Sequence, residues 1–221
     1  MRTAPVLRGG LPARLLWLFV GLFLCAVGIV LFLEARLGLP PWDVLHQGIA
    51  KRTPLSFGLA NVAVAIVVLG VAWWLGARVG FGTVANAVLI GLFVALLQPV
   101  PAVHGLSAWP VGARVALLGL GLVAFGVGSA FYIGAALGAG PRDSLMLVGA
   151  RRLGIRIGAT RALIEVSVLV LGFLLGGVVG LGTVVFATLI GPSVEASFWI
   201  LTRTPLTNDA VLTPVPPDLG R

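Results

Sequence analysis

Acidic residues are scarce in this chain, and four of them sit where they could do chemistry. Asp43 and Asp143 each stand two residues after a proline, as Pro41-x-Asp43 and Pro141-x-Asp143. Proline suits the first position of a helix because it has no N–H to leave unpaired. Each aspartate then falls in a first turn, where the helix dipole favours negative charge. Lys51/Arg52 and Arg151/Arg152 fall in the matching last turns, where cations are favoured. Glu195 lies inside an apolar run, three residues after Pro192, with no cation three or four residues away. A carboxyl group there can carry a proton, hold a ligand or make an interhelical hydrogen bond. Glu165 has Arg161 four residues before it on the same helical face, the spacing of a local ion pair. Asn86 and Glu34 are weaker candidates of the same kind, Asn being a common interhelical glue. Nothing in the chain resembles a nucleophile–base set, and His46 and His104 have no ligand partners at metal spacing. Neither an enzyme nor a cofactor is expected.

The elements that must position these residues follow from composition. The 221 residues are 59% hydrophobic and 10% charged, with a mean hydropathy of +1.11. A soluble domain is about one quarter charged, so this chain cannot coat a globule with polar surface. It is also too apolar to remain disordered in water. The bilayer is its natural solvent. The net charge of +8 comes mostly from arginines flanking apolar runs, a pattern of membrane orientation rather than of nucleic-acid binding.

Six runs approach the ~20 residues needed to cross a bilayer. They are residues 15–33, 57–76, 82–98, 115–133, 162–179 and 183–201. Tight Gly-containing turns at 77–81 and 180–182 force hairpins, and the looser 99–113 segment divides the chain. The expected organisation is an N-terminal segment (1–13), one three-span half (14–98), the 99–113 loop, a second three-span half (114–202) and an unstructured tail (203–221). With six spans, one side receives eleven of the Lys and Arg residues and the other four. By the positive-inside rule both termini are expected in the cytoplasm.

The halves are copies. Residues 14–91 laid over 114–191 without a gap give 28 identities in 78 positions. Leu37-Gly38-x-x-Pro41-x-Asp43-x-Leu45 returns one hundred residues later, as does Gly80-x-Gly82-Thr83-Val84-x-x-Ala87-x-Leu89-Ile90-Gly91. Apolar bias cannot produce the Pro/Asp and Gly/Thr matches at one offset. Three spans per half is an odd number, so the second half must enter the membrane from the opposite side. The expected fold is an all-α membrane bundle of two inverted three-helix repeats, each with a short Pro-x-Asp helix. That helix either lies in the headgroup layer with its basic pair on phosphates, or dips inward with its first turn facing a central cavity.

These repeated blocks and the overall size resemble the YczE/YitT group of bacterial multi-pass membrane proteins over residues 14–200. The resemblance implies a bacterial membrane location, and some members of the group are linked to production of secreted lipopeptide metabolites. Two functions are therefore expected to compete. One is a small secondary transporter or channel for a small solute or ion, with Asp43, Asp143, Glu195, Glu165 and Asn86 along its pathway. The other is an accessory protein that supports a membrane-bound enzyme without transporting. The expected partners are the lipid bilayer and a small solute or ion, with self-association left open.

Overall fold

The computed structural model describes residues 6–207 and is all-helical there. Its elements are α1 (Leu11–Ala35), α2 (Pro41–Arg52), α3 (Phe57–Trp74), α4 (Phe81–Leu97), α5 (Pro101–His104), α6 (Val111–Gly134), α7 (Pro141–Leu153), α8 (Ile157–Leu174) and α9 (Leu181–Leu201). Five of these, α1, α3, α6, α8 and α9, are long and apolar enough to cross a membrane. A sixth span exists if α4 is counted with the segment up to Ala108, from which it is bent by 81°. The outer faces of α3 and α8 expose Ile66, Val67, Val166 and Leu171. A bilayer suits such a surface.

Two expected boundaries move for a physical reason. The fifth run is expected over residues 162–179. In the structure Arg161 is neutralised by Glu165, and α8 starts at Ile157 and ends at Leu174. The 99–113 loop is not irregular throughout: it holds α5 and a 3-10 turn over Gly105–Ala108. The expected unstructured tail needs a similar correction at its start. Thr207 is buried and bridges to Leu7, while the Arg8 N–H donates to the Leu206 carbonyl. Both ends of the described chain therefore lie on the same side of the bundle. The remainder of that tail, 208–221, lies outside the described residues.

The centre is the crossing of α1 with α6. A Cβ added at Gly21 would strike the Gly128 carbonyl and the Tyr132 backbone, and one at Gly28 would strike the Gly121 carbonyl. Gly21 meeting 128 while Gly28 meets 121 means the two helices run antiparallel at backbone contact. Without a hydrophobic drive between helices in lipid, such close approach supplies the packing energy. Arg14 donates to the carbonyls of Ala135 and Ala136 at one end of this pair, and Arg114 donates to Ala35 at the other. Each arginine thus satisfies orphan carbonyls at the end of its partner helix.

The remaining contacts are reciprocal between the two halves. The Gly82 N–H donates to the Leu37+100 position, Leu137, at 2.8 Å, and the Gly182 N–H donates to Leu37 at 2.8 Å. These loops need glycine because each comes within contact distance of the other half's backbone, as at Gly38 against Gly180. Thr83 and Thr183 are not the capping residues themselves. Each hydroxyl reaches back, three residues into its helix, to accept from the N–H of Gly80 or Gly180 at 3.2 Å. The short helices are exchanged as well: α2 packs on α8 and α7 packs on α3. Arg52 donates to the Leu175 carbonyl beyond α8, and Arg152 donates to the Leu75 carbonyl beyond α3. The last-turn cations therefore cap neighbouring helices, where the sequence suggested lipid phosphates. Removing one, as Arg152→Ala, leaves the Leu75 carbonyl to water; a drop in melting temperature of a few degrees is expected, corresponding to about 1 kcal/mol.

Candidate functional site

The Pro-x-Asp sequences place the first turns of α2 and α7 against each other in the middle of the bundle. The Arg142 guanidinium lies 4.9 Å from the centre of the Trp42 ring. These are the same position in the two copies, the variable residue between proline and aspartate. Beside this contact is a cavity of about 340 Å³, walled by α1 to α4 and α6 to α9. It sits where the two halves meet.

Of the five expected pathway residues, four line this cavity: Asp143, Glu195, Glu165 and Asn86. The Tyr132 hydroxyl donates to Asp143 Oδ2 at 2.9 Å. Arg161 Nε donates to Glu165 Oε1 at 2.8 Å, the local ion pair that their spacing suggests. That pair is partly exposed, so Glu165→Gln is expected to shift the melting temperature by only a degree or so, about 0.5 kcal/mol. Glu195 is on α9 at the cavity's edge and is exposed. Pro192, one turn earlier, has no N–H, which leaves the Thr188 carbonyl without its helical donor. Asn86 packs its amide against the Gly140 position at the start of α7.

Asp43 is placed differently. It is 1% exposed and lies outside the cavity wall, with Trp42 on the wall in its stead. His46 Nδ1 lies 3.0 Å from Asp43 Oδ1 and 3.1 Å from Asn61 Nδ2, making a buried triad across α2 and α3. Asp43 Oδ2 has no partner among the described residues. Glu34 is also buried away from this cavity, at the end of α1, with Oε1 4.0 Å from His104 Nδ1. The two aspartates are thus equivalent in sequence and unequal in accessibility. With Cys25 replaced by Ser, a cysteine at 143 should react with a small thiol reagent and one at 43 should not.

Sequence reasoning passed over Arg142, Trp42, Tyr132 and Asn61. Arg142 and Arg161 were counted among the eleven orienting charges; both line the cavity, leaving nine against four. The bias keeps its sign.

The cavity also opens unequally toward the outside. In the first half, α3 and α4 are in backbone contact: a Cβ at Gly58 would strike the Gly91 carbonyl, and one at Gly91 the Gly58 carbonyl. Their copies, Gly158 on α8 and Gly191 on α9, have nothing within 4 Å of the same position. Arg161, Gly191 and Glu195 of α8 and α9 line the cavity and are exposed, so it meets the surface between these helices.

A family model described as a family of unknown function, DUF6198, matches residues 12–197. The chain belongs to the DUF6198 family. An uncharacterised protein of Haemophilus influenzae is 38% identical over 188 residues, 85% of this chain and 84% of its own length. The uncharacterised membrane protein YczE of Bacillus subtilis is 32% identical over 183 residues, 82% of this chain and 83% of its own. The uncharacterised protein YyaS of the same organism is 26% identical over 191 residues, 78% of this chain and 86% of its own. The resemblance read from the repeated motifs therefore holds, and this DUF6198 member is a multi-helix membrane protein of a YczE-like family. No solved structure matches it.

Proposed function

We propose that the protein is a small secondary transporter built of two inverted repeats, with the central cavity as its solute site. The antiparallel α1–α6 crossing and the exchanged contacts support the inversion, since helices that are copies of each other run in opposite directions. Under the same reading α2 and α7 are half-helices that enter from opposite faces. Their first turns touch through Trp42 and Arg142, and their last turns sit at the ends of α8 and α3. The cell membrane, with both termini in the cytoplasm, fits the nine-to-four charge bias.

The observation that carries the transport reading is the unequal pair of glycine contacts. Equivalent hairpins in the two repeats are in different states: α3–α4 is shut at Gly58/Gly91, and α8–α9 is parted at Gly158/Gly191. Exchange of these two states between the repeats would turn the cavity from one membrane face to the other. That is how inverted repeats give alternating access. A passive scaffold has no use for the difference.

Paired cysteines test this. Gly158 and Gly191 both face open space, so Gly158→Cys with Gly191→Cys, in a Cys25→Ser background, leaves the packing undisturbed. Oxidation is expected to link the two cysteines in membranes within minutes, and the link should block thiol labelling of a third cysteine placed at Glu195. A pair that never links, while each single cysteine labels freely, would sink the exchange and with it transport.

A further inference from the structure

We propose that the cavity binds a small monocarboxylate with an apolar body, its carboxylate held by Arg142. This rests on the transport reading for its purpose but on separate observations for its chemistry.

Arg142 faces the cavity from the first turn of α7. Among the described residues its guanidinium makes no hydrogen bond and no ion pair, and it lies over the face of Trp42. A guanidinium carries five N–H donors and cannot shed its charge. In the interior of an apolar bundle such a cation needs a counter-charge or water. Each of the two nearest carboxylates gives one oxygen to another group, Asp43 Oδ2 is left without a hydrogen-bond partner among the described residues, and neither carboxylate bonds the guanidinium. Asp143 Oδ2 accepts from Tyr132, and Asp43 Oδ1 faces His46 in the buried triad. The donors left over form a planar fork, whose natural complement is a carboxylate bound through both oxygens. Stacking on the indole holds that plane in one orientation.

The other walls select the rest of the ligand. Phe125 and Phe186 meet edge to face with ring centres 5.2 Å apart, and Ile190 lies on the same wall. A volume of about 340 Å³ lies at the small end of ligand sites. Asp143 and Glu195 also border the cavity, and their charge disfavours a second carboxylate on the ligand. Head, body and charge thus converge on a monoanion with a short branched or aromatic chain.

The test uses purified full-length protein in detergent and three probes of one shape: 4-methylpentanoate, 4-methylpentanamide and 4-methylpentylamine. Thermal stabilisation is expected from the carboxylate alone. In Arg142→Gln the carboxylate should bind about 10- to 100-fold more weakly, the loss of charge-assisted hydrogen bonds. Arg142→Lys keeps the charge without the fork and should fall between, which preserves the test should the Gln variant not fold. Stabilisation by the amine or the amide equal to that by the carboxylate would overturn the proposal. So would undiminished carboxylate binding in both Arg142 variants. The cysteine-link experiment reads the exchange alone. A link without carboxylate binding would reject this site and keep transport; carboxylate binding without a link would do the reverse.

Discussion

Gly38→Ala is expected to lower the melting temperature by roughly 6–12 °C, corresponding to about 3 kcal/mol in a chain of this size. Two costs add at this position. Its φ is +108°, a conformation that L residues adopt only with strain. An added methyl would also meet the N, Cα and C atoms of Gly180 at 2.5–2.9 Å. Backbone cannot swing aside as a side chain can, so the clash forces the two halves apart, and overpacking of this kind costs about 1–3 kcal/mol by itself. The shift would also strain the hydrogen bond from the Gly182 N–H to the Leu37 carbonyl. Gly70→Ala supplies the control. That glycine is inside α3 with nothing within 4 Å, so alanine there should be neutral or slightly stabilising. Equal effects at the two positions, measured by thermal unfolding in one detergent, would contradict the reciprocal lock.

The buried triad should behave as a unit. In Asp43→Leu the His46 imidazole loses its acidic neighbour without access to water, at a cost of about 1–3 kcal/mol. Asp43→Asn keeps an acceptor oxygen near His46 Nδ1 and should retain most of the stability. His46→Leu alone should cost a similar amount, because it leaves both Asp43 oxygens unpartnered in a site where the residue is 1% exposed. The double variant should then lose much less than the sum of the singles, since replacing both partners removes the desolvation penalty together with the bond. A coupling of about 1–3 kcal/mol is expected from the cycle. Strict additivity would mean that Asp43 and His46 do not interact, and the triad would have to be abandoned.

What could be read from residues alone divides along a clear line. Spans were legible because a bilayer imposes a length on apolar runs, and α1, α3, α6 and α9 lie close to the runs that marked them. The start of α8 lies five residues before the run that marked it, because the helix continues past its apolar stretch through the polar Thr160 and Arg161. Repeated Gly and Pro-x-Asp blocks signalled that something recurs, and the reciprocal contacts explain why those glycines are glycines. Four cavity carboxyl and amide groups were picked out because ionisable groups are rare in apolar runs. Arg142 was not, because in a linear reading an arginine beside a short helix is an orienting charge. Only the meeting of residue 42 with residue 142 turns it into a cavity residue. The difference between Asp43 and Asp143 was equally hidden: the deciding neighbours, His46 and Asn61 for one and Tyr132 for the other, break the repeat, where the copies read Met146, Arg161 and Phe32.

The exchanged short helices also set a timetable for biogenesis. Lys51 ends α2, and the Gly176 carbonyl that receives it at 2.7 Å is synthesised 125 residues later. At about 5–20 residues per second, translation leaves α2 without that partner for roughly 6–25 s. During that interval Val44, Leu45 and Gly48 lack Gly172, Leu175 and Gly177, the residues they lie against in the finished protein. The first half must therefore wait as an unfinished object beside the insertion machinery. Helices threaded in opposite directions become a protein only when the last third of the chain arrives.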